Sequence, residues 1–195
     1  MALALLTVFA ATILTNNMAL NYLLGMCPFI SLSKSLRTAS GMGFAVVFVV
    51  TLTAAINWPI YNLILVPTGT ELIYYIVFII VIAASVQLVE MIMERFFPPL
   101  QAAFGIFLPL ITVNCTVLAV SLFMVIRDYG YLTSVVFAFG SAVGWIIAIV
   151  IVASINEKLK LIADIPKGMR GPGIIMVISG IIALAFLGFA GVVNL

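Results

Sequence analysis

Apolar residues fill six long runs of this 195-residue chain, and polar residues gather in short segments between them. The runs cover approximately residues 2–26, 41–58, 72–94, 100–125, 132–155 and 173–193. Each run approaches the ~20 residues that a helix needs to cross a bilayer. Every face of the runs is apolar, as expected of helices exposed to lipid or buried in a bundle. The pattern predicts an all-α integral membrane protein with six transmembrane helices.

Composition supports a membrane protein and excludes several other classes. Hydrophobic residues make up 66% of the chain and charged residues 7%, whereas a soluble domain is roughly half apolar and about a quarter charged. The formal net charge of +2 is too small to favour nucleic acid as a partner. The chain has no histidine, which removes the commonest haem and zinc ligand. The lipid bilayer is therefore the predicted environment.

Polar and helix-breaking residues interrupt the first and fourth runs. In the fourth run, Pro109, Asn114 and Cys115 lie within seven residues of one another. In the first, Asn17 is followed by a Gly-Met-Cys-Pro segment that contains Cys27. A transmembrane helix tolerates such residues only where the freed backbone groups find other partners. We therefore expect broken first and fourth helices, each carrying one of the two cysteines.

The chain also repeats weakly. Three identities recur at a spacing of 99 residues after Gly41, Ala54 and Asn57, and a Thr-x-Asn motif precedes each cysteine. The common order predicts two halves, approximately residues 1–97 and 98–195. Because each half has three spans, the second must cross the membrane in the opposite sense to the first. The prediction is an inverted repeat within one polytopic domain, with its functional site where the broken helices meet.

Basic residues give an orientation. Seven of the eight fall in the first, third and fifth predicted loops, which the positive-inside rule places in the cytoplasm. Both termini are then expected on the outer side of the membrane. Aromatic residues near the opposite ends of the spans form a predicted interfacial belt. They are Trp58, Tyr61, Tyr74, Tyr75, Tyr129 and Tyr131.

Cys27 and Cys115 are the only cysteines of the chain and the main candidates for chemistry. They could form a disulfide, hold a metal or be inert small hydrophobes. An iron–thiolate site fits the broken helices better than a disulfide does, because thiolates are the ligands of iron–sulfur clusters. A [2Fe-2S] cluster needs four cysteines, so a second chain would have to supply two.

Three other polar residues within the spans are candidates for supporting roles. Asn17 and Asn114 are expected to cap broken helix ends and bridge helices, with hydrogen bonds to cluster sulfurs as an alternative. Glu90 is a carboxylate within the third span, which makes it a candidate for cation binding or proton relay.

Several motifs are similar to those of a known family. They are Leu-Gly-Met-Cys-Pro-Phe around Cys27, Gly-Met-Gly from Gly41, and Gly-Ile-Phe-Leu-Pro-Leu-Ile-Thr-Val-Asn-Cys ending at Cys115. Together they resemble, over nearly the whole chain, the NqrE/RnfA family of small membrane subunits. The Glu-Arg-Phe-Phe-Pro-Pro segment from Glu94 and the Gly144–Trp145 pair look most like the E-type member in the sodium-translocating NADH:quinone oxidoreductase. Cys27-Pro-Phe looks more like the A-type member in the Rnf ferredoxin:NAD oxidoreductase.

The resemblance implies a shared metal centre. In that family a homologous sister subunit, NqrD/RnfE-like, inserts in the opposite orientation, and the two subunits share a [2Fe-2S] cluster. Carried over by motif, the iron ligands here would be Cys27 and Cys115. The resemblance implies no flavin on this chain, since the threonine flavin-attachment motif is absent. It also implies flavin-carrying partner subunits and ubiquinone chemistry elsewhere in the complex. The expected location is the inner membrane of a bacterium, with both termini periplasmic.

The resulting hypothesis is an electron-relay subunit of a sodium-transporting NADH:ubiquinone reductase, without a catalytic site of its own. A stand-alone secondary transporter is the alternative from another class, because inverted repeats with broken helices are common there. A structural scaffold subunit is a third possibility. Both alternatives predict that the cysteines are dispensable.

Overall fold

The computed structural model describes residues 2–14, 17–33, 35–69, 73–96, 114–162 and 171–188. All regular structure in these ranges is helical. The helices are α1 (Ala2–Leu14), α2 (Met26–Leu32), α3 (Leu36–Ile60), α4 (Tyr74–Phe96), α5 (Cys115–Ile126), α6 (Tyr131–Ile162) and α7 (Pro172–Leu187). The all-α prediction is confirmed for the described part of the chain.

Three described helices are long and apolar enough to cross a membrane. These stretches are Thr38–Leu65, Tyr74–Ile92 and Tyr131–Ile162, while Cys115–Ile126 and Pro172–Leu187 are shorter apolar helices. The count of six spans stays a prediction, because the predicted fourth and sixth runs extend into ranges outside the described residues. Pro109 and both termini also lie outside them, so the broken fourth helix and the periplasmic termini stay predictions as well.

The first predicted run is interrupted, as the sequence indicates. Helix α1 ends at Leu14, and α2 begins only at Met26 after a segment of turns. Asn17 organises this segment: its Oδ1 accepts a hydrogen bond from the Ala19 amide at 3.0 Å. Its Nδ2 donates to the carbonyls of Ile13 at 3.3 Å and Gly144 at 2.8 Å. The end of α1 is therefore tied to the middle of α6.

Helix α3 is longer than its sequence predicts. The predicted run stops at residue 58, before Pro59, but the helix continues through a π-helical turn, Tyr61–Leu65, to a short α-helical end, Val66–Thr68. A proline inside a membrane helix is tolerated when local π geometry and other donors take up the disturbed backbone groups. The Asn62 side chain makes only a local bond here, to the Trp58 carbonyl at 3.3 Å.

The core is formed mainly by α3 and α6, with α1 and α5 packed against them. Small residues permit the close crossings. A Cβ atom at Gly43 would meet the Ile146 side chain at 2.7 Å, and one at Gly144 would meet the Thr12 carbonyl at 3.2 Å. This agrees with the general use of glycine where membrane helices approach each other. Within this core the starts of the two cysteine-bearing helices, α2 and α5, approach each other at Gly25.

Residues of the predicted aromatic belt contact one another at one end of the bundle. Trp58 donates to the Tyr129 carbonyl at 2.8 Å and packs edge-on against Tyr131 with ring centroids 5.3 Å apart. Tyr61 and Tyr74 pack similarly at 6.2 Å. The end of α3, the start of α4 and the α5–α6 junction therefore lie at the same level.

Candidate metal centre

Cys27 lies in the first turn of α2, directly after Gly25 and Met26. Gly25 has a left-handed backbone with φ of 79°, which turns the chain sharply into the helix. Pro28 follows in the first turn, where a proline removes no helical hydrogen bond. Pro28 and Phe29 are buried, whereas the Cys27 side chain is exposed. The thiol therefore lies at the surface of the chain, beside a well-packed helix start.

Cys115 is the first residue of α5 and is also exposed. Asn114 caps this helix, because its Oδ1 accepts a hydrogen bond from the Thr116 amide at 3.0 Å. Asn114 and Thr116, on either side of Cys115, are both buried. The helix start is thus fixed in the core while the thiol between these residues projects outward. The predicted capping role of Asn114 is confirmed.

Gly25 brings the two cysteine-bearing segments into contact, although Cys27 and Cys115 are 88 residues apart in sequence. A Cβ atom at Gly25 would lie 2.8 Å from Trp145 Nε1, 3.0 Å from Asn114 Oδ1 and closer still to Thr116 Oγ1. The start of α2 therefore packs directly against the start of α5. Only glycine satisfies both the left-handed backbone and the close approach at this position.

Three buried polar atoms surround this contact without a hydrogen-bond partner among the described residues. They are Asn114 Nδ2, Thr116 Oγ1 and Trp145 Nε1. The two nitrogens can only donate, and the hydroxyl can do so as well. A buried donor left unsatisfied costs about 1–3 kcal/mol, so the site as it stands requires an acceptor. An electron-rich atom between the cysteine-bearing segments would satisfy that requirement.

The two cysteines do not form a complete metal site within the described part of the chain. Both are free thiols there, and the described residues contain no group of three or more His, Cys, Asp or Glu side chains that could hold a metal ion. Two exposed thiols beside unsatisfied N–H donors match half of an iron–sulfur site. The donor set therefore fits a cluster completed by two ligands from another chain.

The other two predicted site residues, Asn17 and Glu90, do not lie at the contact between the starts of α2 and α5. The Asn17 amide group donates within the chain, to Ile13 and Gly144, which is the bridging role that its sequence position indicates. Glu90 is half-buried on α4. Its predicted part in an ion path stays a prediction. Within the described ranges the structure does not join it to the cysteine-bearing segments by a hydrogen bond.

Sequence reasoning missed Trp145 and Thr116 as part of this site. Trp145 is fully buried and packs edge-on against Phe29, with ring centroids 6.3 Å apart. One signal was available: tryptophans of membrane proteins gather at the interfaces, yet Trp145 lies near the middle of the 32-residue helix α6. A polar ring nitrogen at that depth indicates a local partner.

Comparison with known proteins gives a consistent result. The family model described as "Rnf-Nqr subunit, membrane protein" matches residues 5–193. The E-type subunit of the Na(+)-translocating NADH-quinone reductase of Proteus mirabilis (strain HI4320) is 47% identical to this chain over 193 residues. The match covers 96% of this chain and 97% of that protein.

Proposed function

The chain belongs to the Rnf-Nqr family of membrane-protein subunits, and on that premise we propose that it is an E-type subunit of a sodium-translocating NADH:quinone reductase. In this role it relays electrons through a [2Fe-2S] cluster shared with a homologous sister subunit. Cys27 and Cys115 provide two of the four iron ligands. Electron entry from NADH and quinone reduction take place in other subunits, including flavin-carrying ones.

The observation that carries the proposal is the contact at Gly25. It brings together two helix starts, each with an exposed cysteine, and surrounds the contact with buried N–H donors that lack acceptors among the described residues. A structural role for the cysteines would leave these donors without an acceptor among the residues that the structure describes. A cluster offers sulfur atoms as acceptors, and hydrogen bonds to sulfur are an established means of tuning such centres.

The residues of this chain have distinct parts in the proposed relay. When bound, a [2Fe-2S] cluster supplies one-electron redox chemistry. Cys27 and Cys115 hold the irons, while Asn114 Nδ2 and Trp145 Nε1 offer N–H groups from the buried side. Gly25 allows the starts of α2 and α5, each of which carries one of the two thiols, to approach closely. The surrounding apolar side chains keep water away from the buried side of the centre.

Sodium coupling and topology complete the proposal. The P. mirabilis relative is named for Na⁺ translocation, and Glu90 is the candidate in this chain for contact with the ion. We place the protein in the bacterial inner membrane because of its family and its bacterial relative. Both termini are periplasmic in this proposal, from the distribution of the basic residues. An A-type subunit of an Rnf complex is the second candidate, because the matched family model covers both kinds of complex.

EPR spectroscopy combined with iron and acid-labile sulfide analysis tests the proposal on the intact complex. Wild type is compared with Cys27→Ser and with Cys115→Ser. A secondary transporter or a scaffold would tolerate both substitutions, so unchanged iron, sulfide and turnover would favour those alternatives. The electron donor that reduces the cluster and so produces its EPR signal separates the two kinds of complex: NADH for the sodium-translocating reductase, reduced ferredoxin for the Rnf complex.

The Trp145→Phe variant is expected to lower the reduction potential of the cluster. Phenylalanine keeps an aromatic ring against Phe29 but lacks the Nε1 donor. A hydrogen bond to a charged acceptor contributes about 1.5 kcal/mol or more, and it favours the reduced, more negative form. For one electron this corresponds to a decrease of roughly 60 mV. Potentiometric titration followed by EPR measures the change.

Ser154→Ala is the matched control for this variant. Ser154 lies on the same helix, and its hydroxyl donates to the Val150 carbonyl, one turn earlier in α6. The reduction potential of the cluster should be unchanged in this control. If Trp145→Phe also has the wild-type potential, Trp145 does not donate to the centre and its buried N–H needs another acceptor.

A further inference from the structure

Two asparagines at equivalent positions of the two predicted halves make equivalent long-range hydrogen bonds. Asn57 on α3 donates from Nδ2 to Ser121 Oγ on α5 at 2.9 Å. Asn156 on α6 donates from Nδ2 to the Ser33 carbonyl at the end of α2, also at 2.9 Å. All four residues are buried. Each bond therefore joins the long helix of one half to the cysteine-bearing helix of the other.

The two bonds reach the same relative position. Ser33 lies six residues after Cys27, and Ser121 lies six residues after Cys115. Asn57 and Asn156 are themselves 99 residues apart and end the Ala-x-Ile-Asn motif in each half. Membrane interiors offer few alternative partners for an amide, so two such bonds at matching positions indicate a shared task.

The residue after each asparagine also makes a hydrogen bond to the opposite predicted half. Trp58 donates to the Tyr129 carbonyl at 2.8 Å, in the junction between α5 and α6. The Glu157 carboxylate accepts from the Leu36 amide at 3.3 Å, at the start of α3 and next to the α2–α3 junction. Each asparagine and its neighbour thus fix the junction that follows the cysteine-bearing helix of the opposite half.

We propose that Asn57 and Asn156 are positioning residues for the metal centre, which together set the placement of Cys27 relative to Cys115. The contact at Gly25 fixes where α2 and α5 begin, and the asparagine bonds fix where their far parts lie. Two fixed points on each helix, together with its packing against α3, define its direction. The part of this inference that concerns the cluster rests on the proposed function.

Replacing either asparagine by alanine is expected to change the centre without removing it. Iron and labile sulfide should stay at the wild-type level, while the EPR signal broadens and the midpoint potential shifts. Asn156→Ala should have the larger effect, because it takes a buried hydrogen bond from the Ser33 carbonyl. After Asn57→Ala, Ser121 keeps its own bond to the Val117 carbonyl at 3.2 Å. EPR-monitored redox titration of the intact complex measures both variants.

Rescue and control variants separate positioning from general stability. The double variant Asn57→Ser/Ser121→Asn returns an amide to this contact and should recover the wild-type line shape. Asn62→Ala, on the same continuous helix, removes an exposed amide whose bond is local, to the Trp58 carbonyl, and should change neither the EPR line shape nor the midpoint potential. If Asn156→Ala prevents assembly, Asn57→Ala and its rescue still decide the question.

A second readout does not depend on iron. Nitroxide labels on Cys27 and Cys115, the only cysteines of the chain, report the spacing of the two helices in the full-length subunit without metal. Asn57→Ala and Asn156→Ala should alter the spin–spin broadening, whereas Asn62→Ala should not. Wild-type spectra from both alanine variants would overturn the positioning role. If the wild-type complex contains no iron but the label spectra of the alanine variants are altered, the proposed cluster is wrong and the positioning role of the asparagines is retained.

Discussion

Serine in place of Cys115 or of Cys27 should remove one [2Fe-2S] equivalent from the purified complex and abolish its NADH:quinone electron transfer. Iron–sulfur clusters select soft thiolate ligands, and a serine hydroxyl is a poor substitute. Within the described part of the chain no third His, Cys, Asp or Glu lies near enough to form a metal-binding group with the cysteines. The loss should therefore be near complete for either variant, and the double variant should add nothing further.

Three measurements on the same preparation establish this result. Iron and acid-labile sulfide report cluster content, EPR reports its type, and NADH-dependent quinone reduction reports turnover. Met26→Leu is the matched control, because it is a volume-conserving change directly beside Cys27 in α2. Cluster content and turnover should remain at the wild-type level in this control. If the cysteine variants instead keep wild-type cluster content and turnover, the transporter and scaffold hypotheses are favoured.

Gly25→Ala should give the largest loss of stability among single-methyl additions considered for this chain. The left-handed backbone, with φ of 79°, costs an alanine about 1–2 kcal/mol. The added Cβ would also lie 2.8 Å from Trp145 Nε1 and closer to Thr116 Oγ1. Trp145 is fully buried and Thr116 is β-branched, so neither side chain moves freely. Overpacking adds about 1–3 kcal/mol, for a total of about 2–5 kcal/mol.

Gly69→Ala isolates the backbone contribution. Gly69 has a similar left-handed φ of 67°, but a Cβ atom there would have no neighbour within 4 Å. Gly69→Ala should therefore lower the free energy of unfolding by only about 1–2 kcal/mol. Thermal unfolding of the detergent-solubilised complex, with cluster content measured in parallel, compares the two variants. Equal decreases in Tm would show that the contact between α2 and α5 is looser than the structure indicates.

Much of the architecture could be predicted from local sequence. The apolar runs predict helices, because a chain in lipid must satisfy its backbone hydrogen bonds internally. The break after α1 follows from polar residues and a Gly-Met-Cys-Pro segment that a continuous helix does not accommodate. Helix ends were predicted less well. The helix that begins at Leu36 contains Pro59 and continues into a π-helical turn, a local geometry that the apolar pattern does not indicate.

The candidate site, like the architecture, could be predicted only in part from local sequence. The sequence alone identified Cys27 and Cys115, because two cysteines in two interrupted apolar runs are conspicuous by residue type and position. It also indicated the capping role of Asn114, which depends on a short-range bond. It indicated that Asn17 bridges helices, but its partner Gly144, 127 positions away, came only from the tertiary structure.

Only the tertiary structure decided what surrounds the cysteines. Trp145, Thr116 and Gly25 come from separate segments, and their convergence depends on how α2, α5 and α6 pack. The bonds of Asn57 and Asn156 likewise join residues 64 and 123 positions apart. Residue type and spacing determine which groups a chain can offer, since these are local properties. Which groups meet is decided by packing across the whole bundle. Here that packing places buried donors, which have no acceptor in the described part of the chain, at the starts of both cysteine-bearing helices.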